Sequence, residues 1–512
     1  MKKHSKKMLA VLAMVLALAC ALTACAPAAS SSGNAESQGS LAPASSAEAE
    51  KPVTLKYISY GAKPDTGNCD GIWAAMNEIL LRDLNCTVDV EYLGSGDVSQ
   101  MSLKYAGNEE FDFAYSARWF GFADLAQNNA FYELKMDELK QYAPYMVENL
   151  PDIGWKQASI AGKIYMLPNI IFEYTDTFCV YRGDLLEKYN MDKLETIEDL
   201  EQYMEAVVKN ETGIGAGTTD FYSWLWMAYP NDYKAIDWAY CYDDPNQQEI
   251  VFLPMTDAYM DYAKKMRTFY EKGIIAADAV NDSTPAADMF KNGLSAVYNQ
   301  NLNTTNQFAL DVSKEHPEWK IGLFNPYKGR KVMLSAFNGN GFVITRSSQN
   351  PTKAIEVVNH IYESEELQKL LNYGIEGVDY EMKDGKLYVL PNVPADKKKN
   401  IGSVWNMNNS LLQSKFVVKE KYENYQEIWD DLEKNTVSHP LQAFTFDKSA
   451  VETETANVSA VQKEYQSLSY GMNADVEATV DEYRKALKDA GYEAIKAEYD
   501  RQIKEFMATY NK

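Results

Sequence analysis

The sequence predicts an α/β protein of at least two lobes, and three observations support this prediction. Residues 53–60 alternate apolar and polar side chains, as a strand does, and residues 86–92 repeat the pattern. Between them, residues 72–84 carry apolar side chains at helical spacing, which completes a β-α-β unit and implies a parallel sheet. About 460 residues follow the first fifty, which is too many for one compact core.

A third strand is predicted at residues 111–115, after another helix. In open α/β sheets, ligands bind beyond the carboxyl ends of the strands. We therefore expect a binding site near residues 60–61 and 115–119, which end or follow the first and third strands.

The second half of the chain predicts long amphipathic helices, at residues 256–272, 352–371, 476–487 and 492–506. Asn473 is the predicted N-cap of the third of these helices, and Gly491 separates it from the fourth. The last sixty residues are therefore expected to form a helical region.

The first fifty residues have the pattern of a leader followed by a tether. Four lysines within residues 2–7 precede an apolar run, 8–22, that is shorter than the roughly 20 residues needed to cross a bilayer. The Leu-Thr-Ala-Cys segment that ends at Cys25 resembles a bacterial lipobox, which implies cleavage before Cys25 and diacylation of its sulfur. Residues 26–50, rich in Ala, Ser, Gly and Pro, predict a flexible tether. An ordinary cleaved signal peptide is the alternative.

The charge of the chain disfavours several partners. The formal net charge is −23, and removal of the four leader lysines takes it to −27. Nucleic-acid binding needs a basic surface, so we expect no nucleic-acid partner. Anionic lipid should also repel the body, and we expect membrane attachment through the lipid anchor alone.

The cysteines beyond the leader do not form a recognisable metal or redox pattern. They are Cys69, Cys86, Cys179 and Cys241, and their spacing fits neither a zinc site nor a Cys-x-x-Cys pair. Cys69 and Cys86 flank one predicted helix, so a disulfide between them and buried free thiols are both open.

The sequence contains no motif that singles out an enzyme. The three histidines beyond the leader, His316, His360 and His439, form no His-Glu-x-x-His pattern, and no Gly-x-Ser-x-Gly elbow is present. Gly162-Lys163 lacks the rest of a phosphate-binding loop. We expect no catalytic residue, no cofactor and no metal. A surface enzyme acting on polysaccharide stays open as an alternative, because carboxylates are too numerous to exclude a glycosidase pair by counting.

Several segments, in their order along the chain, resemble those of the extracellular solute-binding proteins of bacterial sugar ABC importers. They are residues 111–114, 161–168 with Gly-Lys-x-Tyr-x-x-Pro, 293–299, 338–344 and the helix start at 351–354. Residues 374–380 and 444–447, together with the closing helices, are similar to a Gram-positive lipoprotein branch with an extra helical C-terminal region.

The resemblance implies a type II periplasmic-binding-protein-like fold, in which two α/β lobes joined by crossing strands clamp a ligand. The implied divisions are a signal peptide at 1–24, a lipidated tether at 25–51, a first lobe at 52–172 plus 296–340, and a second lobe at 173–295 plus 341–512. It also implies capture of a sugar or oligosaccharide, delivery to ABC permease subunits, a monomeric protein, and a location on the extracytoplasmic face of the cell membrane.

A sugar binder needs aromatic plates for C–H faces and short polar side chains for hydroxyls. Trp119 and Tyr60 are candidates because they lie at predicted strand ends, and Trp405 because amides flank it. Trp224 lies in an aromatic segment with Trp226, and their spacing lets at most one of the two face a ligand. For each ring, a place in the core is the alternative.

Three polar candidates complete the predicted site. Glu376 lies in a Gly-flanked loop and can accept hydrogen bonds from hydroxyls, whereas Asn299 and Asn340 lie near the proposed crossings. A structural carboxylate and two capping amides are the alternatives. A peptide or other small-solute receptor on the same fold is also open, since Arg118 and Arg182 are available to hold peptide termini.

Overall fold

The computed structural model describes residues 51–510, except for 95–97, 175–176, 216–232, 237–238, 243, 245, 283 and 419. Its strands form one five-stranded sheet, two three-stranded sheets and two two-stranded ribbons. In chain order, the strands are β1 (Val53–Ser59), β2 (Cys86–Tyr92), β3 (Phe113–Ser116), β4 (Ser159–Ile160), β5 (Lys163–Ile164), β6 (Leu167–Pro168), β7 (Phe178–Tyr181), β8 (Tyr233–Ile236), β9 (Ala239–Tyr242), β10 (Ile250–Val251), β11 (Val297–Gln300), β12 (Gly322–Phe324), β13 (Gly341–Ile344), β14 (Tyr380–Lys383) and β15 (Lys386–Val389).

Eighteen α-helices are described between and after these strands. They are α1 (Cys69–Leu84), α2 (Val98–Ala106), α3 (Phe122–Gln127), α4 (Met136–Tyr142), α5 (Pro144–Asn149), α6 (Asp152–Gln157), α7 (Gly183–Lys188), α8 (Ile197–Asn210), α9 (Asp257–Glu271), α10 (Ala286–Lys291), α11 (Leu302–Glu315), α12 (Pro351–Glu363), α13 (Glu365–Tyr373), α14 (Ser410–Phe416), α15 (Tyr425–Lys434), α16 (Glu452–Glu464), α17 (Val476–Asp489) and α18 (Tyr492–Tyr510). None of these described helices is long and apolar enough to cross a membrane.

The five-stranded sheet has the strand order β2-β1-β3-β13-β6 and contains the predicted β-α-β unit. β1 runs parallel to both β2 and β3, and α1 packs over the sheet with Ile72, Met76 and Leu80 buried. β13 runs antiparallel to β3 and to β6. Gly341 allows this pairing, because a Cβ there would lie 2.7 Å from the carbonyl oxygen of Leu167. The predicted first strands and helix are thus confirmed.

The second sheet has the order β11-β7-β12, and the strands that it contains do not follow the predicted division into lobes. β11 pairs antiparallel with β7, which places residues 297–300 in this sheet rather than with the first. β13 instead joins the five-stranded sheet, and α12 packs on the same core. The motif at residues 293–299 therefore does not mark a crossing to the first sheet, and strand pairing is needed to show which sheet each segment enters.

Two long predicted helices differ in detail from the structure. The one predicted at 352–371 is α12 and α13, divided at Ser364, whose side chain accepts a hydrogen bond from the Leu367 backbone. The N-cap of α17 is Asp475 rather than Asn473, because the Asp475 carboxylate accepts a hydrogen bond from the Ala478 N–H at 3.0 Å. A charged cap also complements the positive end of the helix.

The C-terminal helical region belongs to the core around the second sheet. The apolar stripes of α17 and α18 pack against α9, α16 and each other, with Val480, Tyr483, Leu487, Ile495 and Tyr499 buried. Its contacts with the elements around the first sheet include two polar ones. Lys448 pairs with Asp124 at 2.6 Å, and the Lys156 ammonium donates to the Tyr510 carbonyl oxygen at 2.9 Å.

All four described cysteines are buried, and Cys69 and Cys86 do not form a disulfide with each other. Cys69 instead lies 3.3 Å from the Tyr92 hydroxyl, which also accepts a hydrogen bond from the Trp73 indole at 2.9 Å. Burial raises the pKa of the Cys86 thiol to about 11, which keeps it protonated and unreactive at neutral pH.

Candidate functional site

Three aromatic rings predicted from the sequence meet at one edge of the five-stranded sheet. The ring centroid of Tyr60 lies 5.5 Å from that of Trp119 and 5.6 Å from that of Trp405, and the two indoles are 6.1 Å apart. Trp119 is 54% exposed and Trp405 is 48% exposed, whereas Tyr60 is half-buried. We call these three side chains the aromatic platform.

Sheet geometry explains why two distant segments supply this platform. Because β1 and β3 are parallel, Tyr60 and Trp119 follow strands whose carboxyl ends lie side by side. After β3 the chain turns through a short 3-10 helix, Arg118–Phe120, which ends at Gly121 with a φ of +71°. A left-handed backbone conformation at this point favours glycine, which has no Cβ. Phe120 is buried beneath the ring of Tyr60, at a centroid distance of 5.3 Å.

Trp405 comes from a separate segment, the 3-10 helix Trp405–Met407. The next residue, Asn406, is buried, and its side-chain Nδ2 donates to the Tyr57 hydroxyl at 3.1 Å. Its carbonyl oxygen accepts a hydrogen bond from the Tyr362 hydroxyl at 2.5 Å. The buried amide therefore anchors the helix in the first core and leaves the neighbouring indole facing outward.

Two amides lie beside the platform at the same sheet edge. Asn340 precedes β13, and its Oδ1 accepts a hydrogen bond from the Tyr115 hydroxyl at 2.6 Å. Burial raises the pKa of Tyr115, so this hydroxyl remains protonated and donates. Asn169 follows β6, and its backbone N–H donates to the Asn340 carbonyl at 3.0 Å. Its Nδ2 donates to the Trp405 carbonyl at 3.2 Å.

Asn299 lies in the second sheet and has an unusual environment. It is 8% exposed, and neither its Oδ1 nor its Nδ2 has a hydrogen-bond partner among the described residues. Each unmade hydrogen bond of a buried polar group costs about 1–3 kcal/mol. Asn303, shortly after β11, donates to the Glu173 carboxylate at 3.3 Å, which places this end of the strand beside the segment that leaves the first sheet.

The remaining predicted residues lie away from the aromatic platform or outside the described residues. Glu376 is exposed in the loop before β14, where its backbone forms an isolated β-bridge with Tyr380. Within the described chain, no hydrogen bond or ring contact joins Glu376 to the aromatic platform. Trp224 and Cys25 lie outside the described residues. Across the part of the chain that is described, no group of three acidic, His or Cys side chains is arranged to hold a metal ion.

The residue that sequence reasoning missed is Asn169. It follows the Pro168 that ends the Gly-Lys-x-Tyr-x-x-Pro segment, and it is buried. Like Asn340, Asn169 is an amide next to the end of a strand, which could have marked it as a candidate. The residue that it contacts, Trp405, lies 236 residues away in the sequence. The contact depends on tertiary approach and leaves no local pattern.

Comparisons with known proteins identify the family of this chain. A profile of bacterial extracellular solute-binding proteins matches residues 75–368, and a domain of unknown function matches residues 440–508. The chain is 23% identical to a carbohydrate ABC transporter substrate-binding protein of Streptococcus pneumoniae, over 99% of each chain. It is 21% identical to a polygalacturonan/rhamnogalacturonan-binding protein of Bacillus subtilis, over 64% of this chain and 67% of that protein.

Solved structures show the same fold. The N-glycan transport solute-binding protein of S. pneumoniae superposes with a TM-score of 0.73 at 20% identity, over 90% of this chain and 100% of that one. An alginate-binding protein superposes with a TM-score of 0.66 at 17% identity, over 89% and 98%. The predicted type II periplasmic-binding-protein-like fold with a helical C-terminal region is thereby confirmed. With a matching profile across more than half of its length, the chain belongs to the family of bacterial extracellular solute-binding proteins.

Proposed function

We propose that this chain is an extracytoplasmic substrate-binding lipoprotein that captures a sugar or oligosaccharide between two lobes and delivers it to an ABC permease. The observation that carries the proposal is the aromatic platform, in which two indoles remain about half exposed beside hydrogen-bonded amides. Large exposed apolar groups that lie together mark binding surfaces. Indole faces can pack against the C–H faces of a pyranose ring, and amides can form hydrogen bonds with its hydroxyls.

The polar neighbours suit hydroxyl recognition. Since the Tyr115 hydroxyl donates to Oδ1 of Asn340, the Nδ2 group of Asn340 is oriented away from it and can donate to a ligand oxygen. Asn299 contributes an amide from the second sheet. A sugar hydroxyl both donates and accepts, so one hydroxyl and one ring oxygen would satisfy both orphaned atoms of Asn299.

The capture step is a closure of two lobes about the segments that cross between the sheets. We propose a first lobe of residues 52–172 plus 336–418 and a second lobe of residues 177–335 plus 420–510, a division that follows the strand pairing rather than the motifs. The first lobe carries the aromatic platform and the second carries Asn299. Closure would bring the aromatic platform and Asn299 into contact with one ligand. The permease could then distinguish the closed, ligand-bound form from the open form.

Anchoring and partners complete the proposal. Cys25 would carry the lipid that holds the protein at the outer face of the cell membrane, and residues 26–51 would form the tether. The protein acts as a monomer, and the sugar leaves it chemically unchanged. The relatives named above bind N-glycan, alginate or galacturonan-type glycans, which supports a glycan ligand here.

A thermal-shift screen tests the proposal. The chain from residue 52 onward is melted with mannose–N-acetylglucosamine, kestose, alginate oligomers, galacturonan oligomers and a set of short peptides. A ligand at 100 times its dissociation constant stabilises the folded state by about 2.7 kcal/mol. We expect a shift with one sugar class, and mass spectrometry should recover that sugar intact. A shift with peptides alone, or cleavage of the sugar, would contradict the proposal.

A further inference from the structure

Asn169 connects the platform to the start of the segment that leaves the first sheet. It lies immediately after β6 and is 4% exposed. Its backbone N–H and its side chain make two different contacts. The N–H donates to the Asn340 carbonyl at 3.0 Å, and Nδ2 donates to the Trp405 carbonyl at 3.2 Å.

The contact with Trp405 is distinct from the anchors that follow it. Asn406 holds the next peptide through Tyr57 and Tyr362, and the Ser410 N–H donates to the Ile170 carbonyl at 2.8 Å. Those bonds fix the chain after Trp405. The carbonyl of Trp405 itself accepts from Asn169, so this bond restrains the peptide next to the Cα that carries the indole.

We infer that Asn169 is a positioning residue, which holds Trp405 in the aromatic platform and ties the platform to the crossing segment. For its effect on ligand binding, this inference rests on the proposed function. Loss of Nδ2 leaves the Trp405 carbonyl without this donor, so the peptide keeps the Met407 N–H to Val404 carbonyl bond of its turn but loses one restraint. An indole beside a less restrained peptide presents its face less uniformly, even though it remains in the protein.

The position of the indole is measured without any sugar by ¹⁹F NMR of the protein from residue 52 onward, labelled with 5-fluorotryptophan. The chain contains nine tryptophans, and the spectrum of Trp405→Phe identifies the Trp405 signal by its loss. We expect Asn169→Ala to shift or broaden that signal. Asn169→Asp keeps the size of the side chain but replaces the donor by oxygen, so it should move the same signal.

Asn359→Ala is the matched control. Asn359 is a buried amide on α12 whose contacts are the Met146 N–H at 3.2 Å and the Glu363 carboxylate at 2.9 Å, rather than the platform. Its removal should leave the Trp405 signal unchanged. A folded Asn169→Ala or Asn169→Asp protein with an unchanged Trp405 signal would overturn the inference, as would an equal change in Asn359→Ala.

A second readout separates this inference from the proposed function. Whichever of the screened oligosaccharides stabilises the parent protein is titrated into Asn169→Ala and Asn359→Ala. Asn169→Ala should bind it at least tenfold more weakly, and Asn359→Ala within about twofold of the parent. Binding by Asn169→Ala as tight as that of the parent would overturn the link to ligand binding. If no sugar binds the parent, the proposed function fails while the ¹⁹F result still decides whether Asn169 positions Trp405.

Discussion

Aromatic side chains gather in two regions of this molecule, and their exposure separates a binding surface from a core. In the C-terminal helical region, Tyr499 is fully buried and stacks on Phe446 with ring centroids 3.7 Å apart. In the aromatic platform, Trp119 and Trp405 contact each other but remain about half exposed. The chain has 35 tyrosines and nine tryptophans, so composition alone does not distinguish these roles. Their exposure in the folded structure does.

The largest expected effect lies in the buried region. Tyr499→Ala should lower the free energy of unfolding by about 3–5 kcal/mol, because it removes a large ring from a packed core. Urea denaturation of the chain from residue 52 onward measures the loss. A change below about 1 kcal/mol would mean that the C-terminal helices are not part of this core.

The platform should behave in the opposite way. Trp119→Ala and Trp405→Ala should each change the free energy of unfolding by less than about 1 kcal/mol, because exposed rings lose little packing. Each should weaken sugar binding by about 2 kcal/mol, or roughly 30-fold. Calorimetric titration and urea denaturation together measure both quantities. A large loss of stability with unchanged binding would assign these rings to the core instead.

Asn299 sharpens the same comparison for a polar group. Both of its amide atoms are buried and have no hydrogen-bond partner in the part of the chain that the structure describes. Asn299→Ala should therefore destabilise the protein by less than about 1 kcal/mol and weaken sugar binding about tenfold. Asn359→Ala removes an amide whose atoms are paired, and should cost about 1–3 kcal/mol without affecting binding. Equal losses of stability in the two variants would show that Asn299 has a structural partner.

The smallest effect is expected where the C-terminal region meets the first lobe. Lys448 and Asp124 form an ion pair 2.6 Å apart, and both side chains are substantially exposed. Lys448→Ala should therefore change the free energy of unfolding by less than about 1 kcal/mol, and the change should shrink in high salt. Melting curves at low and high ionic strength measure it. A loss above 2 kcal/mol that persists in salt would contradict this view of the contact.

Local patterns predicted much of the first sheet, because the residues of β1, α1 and β2 alternate or repeat within short windows. They also placed Tyr60 and Trp119 together, since parallel strands bring their carboxyl ends to one edge. The flanking amides suggested Trp405 as a binding residue. Its contact with Trp119 joins residues that are 286 positions apart in the sequence, so it depends on the folded core.

Most of the features that escaped prediction are set by tertiary pairing, and one is a choice between two neighbouring capping residues. The sheet membership of β11 and β13 depends on which strands they hydrogen-bond to, and motifs that mark a crossing do not contain that information. The role of Asn169 depends on a carbonyl from a distant segment. At α17, two capping residues two positions apart both fit the pattern, and the described geometry selects Asp475 over Asn473.

The most direct test of the central claim is calorimetric titration of the screened oligosaccharides into the parent protein and into the Trp119→Ala, Trp405→Ala double variant. The account predicts that the parent binds one sugar class, which is recovered intact, and that the double variant is folded but shows no measurable binding. Equal sugar affinity in the two proteins would contradict the claim that the aromatic platform is the ligand site.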